Sequence, residues 1–259
     1  MDGQFVTNKE LILSDIINSI LPKCDNAYFL VGYFYFSGFA ELCEKLKNVN
    51  LKVLVGLEVE RNIVNSIKEV ENFSTTNKTR GQLREDFYKS LVEIFNNTDF
   101  FDSEEQIEKF KLFLEKLENG TLEVRKTLDP NHAKLYLFQN REEENICGTF
   151  PGTMITGSSN LSVTGLKNRL ELNVILRDKS SYIEGKAVFD ELWETSVAVV
   201  DTEHITEFKE KVIKHIWFEK LYSPYAMFVR VLHEYFNIPT DENILTPSDI
   251  TDGTYYNLK

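Results

Sequence analysis

The sequence predicts an α/β fold, a mixed β-sheet with helices on both faces, carrying a helical insertion and a C-terminal helical extension. Three observations lead there. Short aromatic and β-branched runs alternate with segments whose apolar residues recur at helical spacing. The first strand, helix and strand close within about 30 residues, the length of a βαβ unit. The composition, 42% hydrophobic and 27% charged over 259 residues, is that of a globular chain able to bury a core of its own.

Residues 8–22 place Leu11, Ile12, Ile16, Ile17, Ile20 and Leu21 on one helical face, and Pro22 ends the run. Residues 27–36, with Tyr28, Phe29, Leu30, Val31, Tyr33 and Phe34, read as a buried strand broken by Ser37-Gly38. A helix is expected over 39–46 and a second buried strand over 50–56, stopped by Gly56. From 61 to 119 the pattern is helical and charge-rich, clearest at 83–95 and 104–117, with turn signals at 96–102. Strands return at 122–126, 133–138, 154–156 and 170–177, and helices at 181–199 and 202–217. The tail holds one more helix, 225–236, before a Pro/Asp/Thr-rich stretch. The pattern shows no internal repeat. It suggests a domain over 1–200, with its helical insertion at about 61–119, and an extension over 201–259.

Charge and cysteine content narrow the function. A net charge of −12 argues against a protein that coats nucleic acid without selectivity. The acid is unevenly placed: residues 121–180 carry eight Lys/Arg against seven Asp/Glu, the rest 21 against 34. A neutral-to-basic site in an acidic chain is therefore open. Cys24, Cys43 and Cys147 are odd in number, widely spaced and form no CxxC, which fits a reducing compartment and small apolar filler. No apolar run approaches the roughly 18–20 residues of a membrane span, and Met1-Asp2-Gly3-Gln4 has no basic region before an apolar stretch. A cytoplasmic protein with no membrane partner is expected.

Two segments carry chemistry. In Asn131-His132-Ala133-Lys134-Leu135, His132 and Lys134 stand two apart on a predicted strand, so an imidazole and an ammonium share one face. In Thr156-Gly157-Ser158-Ser159-Asn160, a glycine ends a strand and is followed by hydroxyl and amide donors. A nucleophile or acid/base beside a cluster of anion ligands suits a phosphate ester. Each part has a plainer reading alone: His132 as a core or surface histidine, Ser158-Ser159-Asn160 as a helix N-cap, Glu171 as a strand-edge carboxylate.

This pairing resembles the phospholipase D superfamily, whose signature is H-x-K followed by G-S-x-N. The likeness extends over residues 5–200, through Gly165-Leu166 and Arg169-Leu170-Glu171-Leu172-Asn173 and the early aromatic run into Ser37-Gly38-Phe39. Gln139 stands where the family has an Asp, Arg169 where the nuclease-like branch has an Asn, and the long gap from Lys134 to Gly157 fits a hairpin loop around 141–145. The resemblance implies a metal-independent phosphodiesterase without cofactors, here a DNA endonuclease. His132 would attack phosphorus and form a phosphohistidine. Lys134, Ser158 and Asn160 would hold the non-bridging oxygens, and Glu171 would accept a hydrogen bond from the imidazole.

Of the four histidines only His132 has a lysine at that spacing. The implied chemistry needs two, so a homodimer with the site on its two-fold axis is expected. His204, His215 and His233 receive no role, and the aromatics of 28–39 read as sheet core. Leu221-Tyr222-Ser223-Pro224-Tyr225 and Val231-Leu232-His233-Glu234-Tyr235-Phe236 are similar to the linker after this domain in bacterial superfamily-2 helicases, and the final Tyr256-Asn257-Leu258-Lys259 resembles the lead-in to a helicase Q motif. That implies a covalently linked helicase or ATPase region beyond residue 259. The alternative function is a catalytically weak module that holds DNA or a partner for such a helicase.

Overall fold

The computed structural model describes residues 5–56, 78–96, 103–145, 148–216 and Phe228, with backbone only at 93–96 and 104. The expectations for the first part of the insertion, the 97–102 turn, Cys147, His233 and the tail helix lie outside these residues. The chain up to Trp217 forms one compact unit.

Its frame is an eight-stranded mixed sheet in the order β1-β7-β6-β5-β2-β3-β4-β8. The strands are β1 (Phe5–Val6), β2 (Cys24–Val31), β3 (Asn50–Val55), β4 (Leu122–Lys126), β5 (Leu135–Asn140), β6 (Gly152–Gly157), β7 (Asn173–Leu176) and β8 (Val197–Val200). The helices are α1 (Leu13–Ile20), α2 (Phe36–Leu46), α3 (Arg80–Asn96), α4 (Glu104–Glu118), α5 (Lys179–Thr195) and α6 (Ile205–Lys211). β2, β3 and β4 are parallel, and β2-α2-β3 is the expected βαβ unit. β5, β6 and β7 continue antiparallel from β2, and β8 runs antiparallel to β4.

Period-two alternation divides the core between the sheet's two faces. Leu30, Leu54, Leu135 and Leu137 pack on one face under Tyr182, Phe189 and Trp193 of α5. On the other, Phe29 meets the edges of Tyr136 and Phe138 at centroid separations of 5.1 and 5.7 Å. There α2 and α4 contribute a packed aromatic group, with Phe36, Phe39 and Phe113 at mutual separations of 5.2–5.7 Å. The charged α3 and α4 are therefore amphipathic: Leu83, Phe87 and Tyr88 of α3 and Phe110, Phe113 and Leu117 of α4 are buried.

Several elements differ from the sequence reading, each for a non-local reason. The aromatic run 33–36 is not strand. After Val31 the chain leaves the sheet, pairs Phe34 with Leu161, and starts α2 at Phe36. Ser37-Gly38 therefore lies in the first turn of α2 rather than breaking a strand. The helix expected over 181–199 ends at Thr195, and Val197–Val200 become the edge strand β8. Tyr88 and Arg84 of α3 cover that edge by donating to Val199 O and Ala198 O. Two-residue β1 carried no period to detect. The β5–β6 hairpin accounts for the long Lys134–Gly157 gap, its loop including a single turn at Glu142–Glu144.

Cys24 and Cys43 are buried, and burial pushes their thiols up to about 12 and about 11, as inert filler requires. Among the described residues no helix is long and apolar enough to cross a membrane.

Candidate active site

The sheet order assembles one functional edge. Because β5 is antiparallel to β2 and β6, and β7 antiparallel to β6, this edge collects the C-terminal ends of β2, β3, β4 and β6 with the N-terminal ends of β5 and β7. Leu135 lies opposite both Leu30 and Thr156, and Gly157 opposite Asn173. His132, Lys134, Ser158, Asn160 and Glu171 all sit in segments leading into or out of these strand ends.

His132 and Lys134 precede β5 rather than lying on it. Leu135 is the first β5 residue with a β2 partner, because β2 has turned away, so 132–134 have no strand beside them. Asn131 shapes this lead-in. Its side chain donates to Thr127 Oγ1 (3.0 Å) and accepts from Ala133 N (3.3 Å), while its backbone N–H donates to Gly56 O (3.3 Å). A Cβ on Gly56 would lie 2.1 Å from Asn131 O, so only glycine lets the end of β3 approach.

The spacing of two still brings the pair together. Lys134 Nζ donates to His132 Nδ1 and to His132 O, both at 2.7 Å. An ammonium only donates, so Nδ1 is the acceptor and the neutral ring carries its proton on Nε2. His132 is exposed while Lys134 is 5% exposed. Partial desolvation of the ring first, and the Lys134 charge second, hold the imidazole below its ordinary value of 6.5. Burial also lowers Lys134, against the opposing charge of Glu171.

The second segment pairs internally. Ser158 Oγ donates to Glu171 Oε2 and accepts from Leu172 N (3.0 Å), and Ser158 N donates to Leu172 O (3.1 Å). Glu171 therefore meets Ser158, not the imidazole expected from the sequence. The ladder between 158 and 172 brings the two side chains together, and Nδ1 of His132 is occupied by Lys134. Asn160 closes the group from the other side: its Oδ1 accepts from Tyr33 N (3.4 Å). A Cβ on Gly32 would lie 3.0 Å from His132 Cδ2 and 3.3 Å from Asn160 Oδ1, which places the two motif halves against one backbone atom.

The other candidates are engaged elsewhere or exposed. Gln139 is five residues from Lys134 along β5, about 17 Å at strand rise. Its Oε1 accepts from Tyr28 OH (2.8 Å) and Asn26 Nδ2 (3.2 Å), a purely structural arrangement. Lys167 is bound to Glu41 at 2.5 Å, and Arg169 is exposed. His204 pairs with Asp201 (2.7 Å), far along the chain from the motif.

Sequence reasoning missed Gly32, Asn131, Tyr136 and Asn173, which hold the site from behind. One signal was available: Asn173 shares strand parity with core residue Ile175, so a polar group occupies an apolar slot. Among the described residues no group of three or more His, Cys, Asp or Glu side chains is placed to hold a metal ion. The site offers an imidazole, an ammonium, a hydroxyl, an amide and a carboxylate, a set suited to a tetrahedral anion.

The motif order, the strand-end geometry and the mixed sheet define a phosphodiesterase/nuclease-like fold. The chain belongs to the phospholipase D superfamily: the family described as "Cardiolipin synthase, PLD-like domain" matches residues 31–193. Similar solved structures include Nuc, a phospholipase D family member from Salmonella typhimurium, at 12% identity and TM-score 0.40, covering 75% of this chain and 95% of that one. NucT from Helicobacter pylori is 8% identical with TM-score 0.41, covering 75% and 96%. Phosphatidylserine synthase from Haemophilus influenzae Rd KW20 is 12% identical with TM-score 0.45, covering 90% and 45%. A search of curated protein sequences finds no match.

Proposed function

We propose that the protein is a metal-independent phosphodiesterase, a DNA endonuclease that works through a phosphohistidine in a homodimeric site. The observation that carries this reading is the convergence of His132 and Asn160 on Gly32, with Lys134 in contact with the imidazole. His132 Nε2 attacks phosphorus, and His132 of a second copy protonates the leaving oxygen. Water then hydrolyses the phosphohistidine. Lys134 Nζ, Ser158 Oγ and Asn160 Nδ2 hold the non-bridging oxygens as charge develops on them.

The groups of the site are paired with one another, and this gives substrate a specific task. A phosphate that draws Lys134 away from Nδ1 frees that nitrogen to take the ring proton, leaving the Nε2 lone pair available. The same anion competes with Glu171 for the Ser158 hydroxyl. Glu171 then serves as the carboxylate that orients the imidazole. The second copy is required because one chain supplies one His-x-Lys pair. Leu170 and Leu172, 64% and 57% exposed on either side of Glu171, provide apolar surface for it.

The extension over 201–259 then leads, on the resemblance of residues 221–236 and 256–259, to a helicase or ATPase that delivers DNA in the cytoplasm. The decisive experiment is cleavage of supercoiled plasmid and single-stranded DNA in excess EDTA by wild type and His132→Ala. Cutting by wild type that is lost in the variant is expected. DNA binding by both proteins with cutting by neither replaces the enzyme with the binding-module reading.

A further inference from the structure

Behind the site lies a buried polar cluster that the chemistry above leaves unused. Ser159 and Asn173 are both 0% exposed. Asn173 Nδ2 donates to Ser159 Oγ (2.9 Å), and its Oδ1 accepts from Ser159 N (3.4 Å). Ser159 Oγ passes its own proton to Gly165 O (2.9 Å), and Ser159 O accepts from Tyr136 OH (2.8 Å). The amide, hydroxyl and carbonyl of Ser159 are thus all engaged inward. Burying an asparagine at a core position of β7 is costly unless its donors and acceptor are paired, and the pairing restricts Ser159 to one orientation. The two neighbours of Ser159 are Ser158 and Asn160, which reach the site side of the loop.

We propose that Asn173 is a positioning residue: by holding Ser159 inward it aims the Ser158 hydroxyl and the Asn160 amide at a bound tetrahedral anion. This deepens the phosphodiesterase reading and rests on it for the identity of the ligand. The chemistry of the pair supplies a discriminating variant. In Asn173→Asp an ionised carboxylate cannot donate to Ser159 Oγ. The serine hydroxyl turns to donate to it and releases Gly165 O. Protonation of the introduced carboxyl restores the donor and acceptor pattern, and full burial raises a carboxyl toward that form as pH falls.

The test titrates inorganic sulfate, a tetrahedral dianion of constant charge, into wild type, Asn173→Asp and Ser159→Ala between about pH 5 and 8. Binding is read by calorimetry, and the Ser158 and Asn160 amide resonances by NMR. At pH 8 both variants are expected to bind sulfate about tenfold or more weakly than wild type, the loss of one or two aimed hydrogen bonds. The Asn173→Asp deficit closes towards pH 5, and that of Ser159→Ala does not. Circular dichroism and melting of each variant at both pH values separate this recovery from refolding, because a buried ionised carboxylate also destabilises the fold at high pH; a recovery that only tracks refolding overturns the proposal. Equal affinity of Asn173→Asp and wild type at both pH extremes overturns the proposal. If wild type itself binds no sulfate, the anion-site reading fails separately. The positioning role is then read from the amides: resonances of Ser158 and Asn160 displaced at pH 8 and restored at pH 5 support it, and unmoved resonances overturn it.

Discussion

At the scale of single residues, the site depends on atoms that are missing as much as on groups that are present. Gly32 is an ordinary-φ glycine at the end of β2, and its lack of a Cβ leaves room for His132 on one side and Asn160 on the other. Alanine there satisfies the backbone, and removing a glycine reduces unfolded-state entropy, so stability should stay within about 1 kcal/mol. Catalysis should not survive as well. The new methyl must displace the imidazole by a few tenths of an ångström, and small misplacements of reacting groups are costly in rate. Gly32→Ala is expected to lower kcat about tenfold or more with an unchanged melting temperature, measured by steady-state cleavage and calorimetry on one preparation.

At the scale of elements, close packing and one buried cation hold the site's supports. The first turn of α2 lies directly on the 158–162 loop: a Cβ on Gly38 would fall 2.3 Å from Leu161 C and 2.4 Å from Leu161 O. Backbone on both sides leaves nothing flexible to yield. Gly38→Ala should destabilise by about 1–3 kcal/mol, read by urea unfolding, and also weaken anion binding because the loop must move.

In α4, Lys116 is 1% exposed, and its Nζ donates to Val49 O (2.8 Å) and Thr121 Oγ1 (3.1 Å), tying the helix to the segments that lead into β3 and β4. Burial lowers it from 10.5 to about 8. The unfolded lysine keeps its proton up to 10.5 while the folded one releases it near 8, so between these values the unfolded state binds more protons. Stability from this group therefore rises with pH across that window, by about 3 kcal/mol in total. Lys116→Met should flatten the wild-type rise in melting temperature between about pH 8 and 10.5. Parallel curves for the two proteins would refute the assignment.

At the scale of the whole molecule, the proposed two-histidine chemistry calls for a second copy, because one chain carries one His-x-Lys pair. Leu170 and Leu172 flank Glu171, and Phe5 of β1, 57% exposed, lies opposite Val174 in the same region of the sheet. Wild type should scatter light as twice 30.1 kDa at micromolar concentration. Leu172→Glu should scatter as a monomer and lose cleavage together with the dimer, since a charge cannot be buried unpaired at an interface. A monomeric wild type that still cuts DNA would remove the two-fold site.

Local information sufficed for a good deal of this protein. The fold class, the β2-α2-β3 unit, β4 and the amphipathic α3 and α4 follow from apolar periodicity, which each segment carries within itself. The five motif residues could be found because His132-x-Lys134 and Gly157-Ser158-x-Asn160 are short and ordered. What the tertiary structure decided is non-local. It ended β2 at Val31 because the next residues find a partner in Leu161, and it turned 197–200 into an edge strand because β4 and α3 lie beside it. It gave Nδ1 of His132 to Lys134 and Ser158 to Glu171, and it put Asn173 behind Ser159. Periodicity records which side of an element is apolar. Which backbone passes within a methyl group of a glycine, and which partner a buried polar group finds, depend on residues far away in the chain, and only the closed sheet brings them into contact.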